Sequence, residues 1–370
     1  MTLSPTLLLV DSTSTSTANI NSIEKKSRSS QSTVMGMAIG YDLFVFQRFV
    51  GSLRRSGFTG TIILGVDPQK VDSKVEEYLL AKNVTTKFIQ HVNCSTPFVN
   101  NTEDLRAAQK ELLTCLAPYP NLKARWGRFP LLRDWLAECE ECNGPVLITD
   151  VRDTIFQRDP FGDDAPAIKG LQVFEEDPRM RTTNWLVEWP VTECKGVTFD
   201  EPMLCSGTTA SSKKEDMLDY LDSMHAEMNA WSQDPKCHFE INGDDQSIHN
   251  YLFYTNKLGS KANAIPNRMG IVNTVGALAR AVKEDHMAYT KERGVHHSEA
   301  QVFPYRGTKF NLTEGRWVAE NFRLTDPKGF FSNLDGTRSC VVHQYDRFGY
   351  QLERWLQKYS GLLDSPSIGN

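Results

Sequence analysis

Residues 146–161 read Val-Leu-Ile-Thr-Asp-Val-Arg-Asp-Thr-Ile-Phe-Gln-Arg-Asp-Pro-Phe. The apolar run Val146-Leu147-Ile148 has the character of a buried strand. It ends in Asp150 and Asp153, with Arg152 between them. In open parallel sheets, ligands bind beyond the carboxyl ends of the strands. Two carboxylates at i, i+3 just after a strand converge if the chain bends there. With diphosphate and water oxygens they suit a divalent cation such as Mn2+ or Mg2+. Arg152 can meet a phosphate or pair with an aspartate. The plain alternative is a solvated turn held by Asp150 and Asp153 and capped by Asp159.

The surrounding pattern decides the class. Upstream, Val34 to Ile39 is an apolar run suited to a buried strand, and Leu43, Phe44, Phe46, Phe49, Val50 and Leu53 recur at helical spacing. Residues 60–65 predict a second strand, 71–82 a helix and Thr85–Val92 a third strand. Helices are expected near 103–117 and 125–139, and the strand 146–150 follows. Strands alternating with helices at this pace argue for an α/β fold, with a mostly parallel sheet flanked by helices on both faces. The second half is less regular. Strands are expected at Leu171–Phe174, Met203–Ala210 and Cys340–His343, and helices near 213–229 and at Asp244–Tyr254. A closing amphipathic helix carries Leu352, Trp355, Leu356 and Tyr359.

The chain has 370 residues, 24% of them charged, with a formal net charge of −5. That is enough chain for a sizeable core, and no basic face marks a nucleic-acid partner. No run approaches the roughly 20 apolar residues of a membrane span. Leu7 to Val10 is too short for a signal-peptide core. The expectation is a lead-in over 1–32, one domain over 33–360 divided into halves at 165/166, and a tail over 361–370. The protein is then either cytoplasmic, or a membrane anchor is missing from this chain. Sequons begin at Asn83, Asn93, Asn100 and Asn311 and favour a secretory compartment. The eight cysteines permit disulfides. Cys139-x-x-Cys142 lacks the second half-site of a structural zinc, so free thiols or a local disulfide are expected there.

Four further segments carry candidate chemistry. Lys123-Ala-Arg125-Trp-Gly-Arg128 gathers cations ahead of the acidic strand, and arginine binds phosphate in a forked geometry. A solvated helix face is the other reading. Leu204-Cys-Ser206-Gly207 is a run of small residues, which either let a ligand approach the backbone or pack tightly. Asp244-Asp245-Gln246 opens a helix. Asp244 suits a cap, while Asp245 and Gln246 can bind sugar hydroxyls or stabilise positive charge at a reacting carbon. His343 lies on a late strand, as a core residue or as a third metal ligand. The D-x-D-x-T of haloacid dehalogenase phosphatases is out of register, because this chain reads D-x-x-D-T.

Taken in order, these segments resemble the nucleotide-diphospho-sugar transferases of the GT-A fold, in particular retaining families with D-x-D after a buried strand. Val146–Phe161 is similar to that motif and its trailing segment, Cys205-Ser206-Gly207 to the strand bordering the acceptor, Gly243–Gln246 to a D-Q helix start, and His343 to a late metal-binding histidine. The resemblance implies a GT-A-like, Rossmann-like sheet with a nucleotide half over 33–165 and an acceptor half over 166–360. It implies a metal-dependent, retaining glycosyltransferase acting from a nucleotide-sugar donor onto a carbohydrate or glycoconjugate hydroxyl. The metal, Mn2+ or Mg2+, would lie on Asp150, Asp153 and His343. Donor contacts would come from Asp150, Arg152, Arg125, Arg128, Ser206 and Gly207, and Gln246 and Asp245 would stand at the reacting carbon. The resemblance also implies the Golgi or secretory lumen. The family usually has one residue between its two aspartates, whereas this chain has Val151 and Arg152. Either both aspartates reach the metal, or Asp153 does while Asp150 contacts the ribose. A nucleotidyltransferase would carry a Gly-rich, basic loop after its first strand, and Ile39-Gly40-Tyr41-Asp42 is not one. A non-catalytic nucleotide-sugar or glycan-binding module of the same fold is the other alternative.

Overall fold

A computed structural model describes residues 31–95, 114–176, 185–237, 244–259, 261–276 and 330–345. Residues 1–30 of the lead-in expected over 1–32, the closing helix, the tail, and the sequons at Asn100 and Asn311 lie outside these residues. Strand β1 (Thr33–Ala38) and strand β2 (Thr61–Val66) form a parallel pair. Strand β3 (Thr85–Phe88) adds to β2 in parallel, and β7 (Val146–Thr149) adds to the other side of β1. Beyond β7 lie β10 (Leu204–Ser211), antiparallel to both neighbours, then β9 (Leu171–Glu175) and β11 (Ala262–Ile265). The order is β11-β9-β10-β7-β1-β2-β3. This is the expected α/β class with a mostly parallel sheet.

The sheet is buried on both faces, which is why its central strands are apolar throughout rather than alternating. One face is covered by α1, which runs as Leu43–Phe46, a π-helical turn at Gln47–Gly51, and Ser52–Arg55, and by α2 (Ser73–Ala81). Each of these helices begins at an aspartate, whose side chain accepts from a backbone N–H in the first turn. Asp42 takes Val45 N at 3.0 Å and Asp72 takes Val75 N at 2.9 Å. The other face is covered by α3 (Ala124–Glu138), with α5 (Lys214–Gln233) and α6 (Asp244–Tyr254) packed beside it. Trp126, Phe129, Leu132, Trp135 and Leu136 of α3 are buried there. Each such side chain contributes about 1.5–3 kcal/mol of apolar burial. That packing holds α3 helical through Pro130, whose missing N–H weakens the ladder.

Several expectations need correction. The strand expected over Thr85–Val92 divides: β3 ends at Phe88, and His91–Val92 forms β4 in a separate sheet with β5 (Cys115–Leu116) and β6 (Tyr119–Lys123). The helix expected near 103–117 therefore cannot include Cys115 and Leu116, which are extended. The tie between Cys94 and Cys115 holds that segment against β4. Helix α4 (Trp185–Lys195), which runs through Pro190, was not among the expected elements. Cys139 and Cys142 form a disulfide, and Cys194 pairs with Cys237. Among the described residues no helix is long and apolar enough to cross a membrane.

Candidate metal and nucleotide-sugar site

The decisive feature is the turn after β7. Its carboxyl end leaves the main sheet at Asp150, and the chain resumes as β8 (Thr154–Phe156) in a second, three-stranded sheet ordered β12-β13-β8. There β12 is Val272–Thr274 and β13 is Val341–His343. His343 pairs with Thr154 across the antiparallel β13–β8 ladder. Gln344 N donates to Asp153 O at 2.7 Å. The turn is pinned from inside by the Thr149 hydroxyl, 3.0 Å from both Thr154 Oγ1 and Thr208 Oγ1. Strand β10 holds the other flank, where Asp150 N donates to Gly207 O at 2.8 Å.

These contacts bring Asp150, Asp153 and His343 together, with one ligand atom from each within 4.8 Å of the others. His343 Nε2 is 3.7 Å from Asp150 Oδ2 and 3.6 Å from Asp153 Oδ1. His343 is wholly buried, and its Nε2 has no hydrogen-bond partner. Buried polar atoms are normally satisfied, so a nitrogen left bare between two carboxylates fits a cation. Two oxygens and one imidazole are a donor set for Mn2+ or Mg2+. Gly207 makes room for the cluster, since a Cβ there would lie 2.6 Å from Asp150 Oδ2 and 2.7 Å from His343 Cε1.

Charge is arranged around the cluster. Arg128 on α3 donates from Nη1 to Asp150 Oδ1 and from Nη2 to Asp245 Oδ2, both at 2.6 Å. The guanidinium thus spans the turn after β7 and the start of α6. Burial alone would raise the Asp150 carboxyl, but Arg128 and His343 hold it well below the usual carboxylate range. Burial alone would lower the His343 imidazole, yet its neighbours Cys205, Asp150 and Asp153 raise it well above its ordinary value. Arg152 is half exposed, with Nη2 3.5 Å from Asp153 Oδ2. Ser206 and Gly207 line a small cavity with Gly36, Arg128, Thr149 and Asp150.

At the start of α6, Gln246 Nε2 donates to Glu176 Oε1 at 3.0 Å and to Leu204 O at 2.8 Å. Its Oε1 accepts no hydrogen bond among the described residues. Arg125 sits apart from Asp150; its Nη1 is 3.6 Å from Asp244 Oδ1. Asp244 also takes Lys123 Nζ and, at 3.2 Å, Trp126 Nε1. Asp244 thereby locks the start of α3 to the start of α6.

Sequence reasoning missed three neighbours of the site. Tyr41, just after β1, is pushed up to about 12 by burial, with Asp150 and Asp153 adding to the shift. Its position beyond the carboxyl end of β1 was the available signal. Glu176 carries no pattern of its own and emerges only from the pairing of β9 with β10, and the small-residue run that contains Cys205 gives no sign of its contact with His343.

No family model and no curated protein matches the chain in sequence. Among solved structures it is similar to galactosyltransferase LgtC in complex with donor and acceptor sugar analogues, at 12% identity and TM-score 0.44 over 91% of this chain and 98% of that one. It is also similar to glycosyltransferase GlyE of Streptococcus pneumoniae, at 13% identity and TM-score 0.39 over 90% of this chain and 61% of that one. A third is glucosyl-3-phosphoglycerate synthase of Mycobacterium tuberculosis, at 13% identity and TM-score 0.32 over 66% and 72%.

Proposed function

We propose that the chain is a metal-dependent glycosyltransferase that moves a sugar from a nucleotide-diphosphate donor to a carbohydrate or glycoconjugate hydroxyl, with retention at the anomeric carbon. One observation carries this reading. Two carboxylates and a buried imidazole with a bare Nε2 converge beyond the carboxyl end of a central strand. That is where an open α/β sheet binds its ligand.

Asp150, Asp153 and His343 would hold the cation, Mn2+ or Mg2+, which when bound offsets the charge building on a departing diphosphate. Arg128 brings a fixed positive group to the same place through Asp150 and orients Asp245. Arg152 lies at the exposed rim for donor phosphates, and Arg125 adds positive potential from the start of α3. Ser206 and Gly207 form the small-residue wall that admits the sugar. Gln246, held by its amide nitrogen, keeps Oε1 as the free polar end to stabilise positive charge at the anomeric carbon. Asp245 is engaged by Arg128 and Glu176 by Gln246. Neither is left as a dedicated base for the acceptor, which favours retention.

We place the protein in the secretory lumen. Three disulfides among the described residues suit an oxidising compartment, and the sequon asparagines Asn83 and Asn93 are exposed.

The test is thermal shift with UDP, GDP, ADP and CMP, with and without Mn2+, on wild type and Asp153→Asn. The expected result is a shift that needs one nucleotide together with the metal and is lost in the variant. No shift with any pair overturns the reading. Binding without sugar transfer to any acceptor would leave a binding module.

A further inference from the structure

His343 has two ring nitrogens with different surroundings. Nε2 faces Asp150 and Asp153 without a hydrogen bond, while Nδ1 lies 3.4 Å from Cys205 Sγ. Cys205 is itself buried. Three pairs of cysteines among the described residues are joined, and only Cys205 and Cys340 there remain free. The placement of Cys205 is specific. It stands opposite Phe174 on β9, at the irregularity where the β10–β9 register shifts between Cys205 and Thr209. Within that irregularity the backbone of Gly207, two residues on, accepts from Asp150 N.

For Nε2 to offer its lone pair to a cation, the ring proton must sit on Nδ1, and an Nδ1–H in this geometry donates to the sulfur of Cys205. Metal-binding histidines almost always have their second nitrogen fixed in this way, usually by a carboxylate, a backbone carbonyl or water. Here the acceptor is a thiol, which is weak and neutral. A carboxylate in its place would add a third negative charge to a pocket that already holds Asp150 and Asp153. A thiol fixes the tautomer without that charge.

We propose that Cys205 is a positioning residue for the metal: it sets the tautomer and ring orientation of His343 so that Nε2 points between Asp150 and Asp153. The inference rests on the metal-site reading above and adds the residue that prepares that site. A cysteine that merely packs would respond to volume. A cysteine that orients His343 responds to the presence of an acceptor, so serine and valine separate the two roles.

The experiment is calorimetric titration of the purified full chain with Mn2+, for wild type, Cys205→Val, Cys205→Ser and Cys205→Ala, with folding of each checked by circular dichroism and urea unfolding. The expected result is one Mn2+ site in wild type, weakened about tenfold in Cys205→Val and Cys205→Ala, the lower end of the usual cost of losing such a partner. Cys205→Ser, which keeps an acceptor, should stay within about threefold of wild type on the same scale. Should Cys205→Val fail to fold, Cys205→Ala carries the comparison. Folded acceptor-free variants that bind Mn2+ as wild type does would overturn the role of Cys205 and leave the metal site standing. Serine as weak as valine would overturn it equally. A wild type that binds no Mn2+, with or without nucleotide, would overturn the metal reading and this inference with it.

Discussion

Asp244 and the Asp150–Asp153 pair both stand at the ends of regular elements, and the fold treats them in opposite ways. Asp244 is wholly buried and surrounded by partners: Lys123, the Trp126 indole and Arg125. Burial pushes its carboxyl up and the Lys123 ammonium down, each against the pull of the other. The Asp150 side chain keeps 36% of its surface exposed and faces an imidazole nitrogen that has no hydrogen bond. A saturated carboxylate is an anchor. A pair of carboxylates sharing a bare nitrogen is a place prepared for something else. Both belong to one charged neighbourhood, joined through Arg128 and Asp245.

The comparison can be broken at several points. Asp244→Ala leaves Lys123 buried without its anion, and loss of one partner from a buried pair costs about 3–5 kcal/mol. Urea unfolding should register that loss directly. Asp153→Asn should do the reverse. Its Mn2+ affinity should fall by at least the 10–100-fold typical of losing an outer partner, while urea stability stays within about 1 kcal/mol, as expected for a site not built for stability. Equal destabilisation by the two substitutions would erase the contrast. Gly207→Ala crowds the space between Asp150 and His343. It should cost about 1–3 kcal/mol by overpacking and abolish the calorimetric Mn2+ signal.

His249 sharpens the contrast most finely. Its Nε2 is also buried without a partner, while Nδ1 meets the Tyr220 hydroxyl at 2.9 Å. Among the described residues no carboxylate perturbs it. Burial, and then the positive Arg128, lower it to about 3. It therefore stays neutral in the folded protein, while the unfolded chain takes up a proton below about 6.5. Its share of stability is present above that pH and is lost as pH falls towards 3, at up to about 1.4 kcal/mol per pH unit. His249→Gln should flatten the pH dependence of urea stability across that window. An unchanged slope would contradict the burial of a neutral ring. A bare nitrogen alone, then, does not make a cation site; the facing acids do.

Much of this was legible in the sequence because it is local. The apolar runs that become β1, β2, β7 and β10 announce themselves, and α6 begins at Asp244 as its acidic start suggests. The convergence of Asp150 with Asp153 was legible as a bend after a strand. The sequence could not state how the bend is made: the two aspartates belong to the ends of strands in different sheets. The short strands β8 and β12 carry too few residues to show a period, so Cys340–His343 reads as a strand while the sheet it joins was invisible. Arg125 and Arg128 read alike in the sequence. Three residues along a helix leave both side chains on one face but about one turn apart along the axis, so Arg125 meets Asp244 while Arg128 reaches Asp150 and Asp245.

The turn from β7 into β8 has a mechanical consequence. Asp150 closes a strand of the large sheet, whereas Asp153 and His343 belong to the small one. Anything gripped by all three acts as a rivet between two separately hydrogen-bonded layers. Gln157 carries that layer further, donating from its amide to the backbone of Phe331 and Ser339 at 2.9 Å each. Occupancy of a pocket a few ångströms wide would thus be transmitted as stiffness along β8 and β13 to residues 331–339. Slowed amide hydrogen exchange there would record whether the rivet is in place.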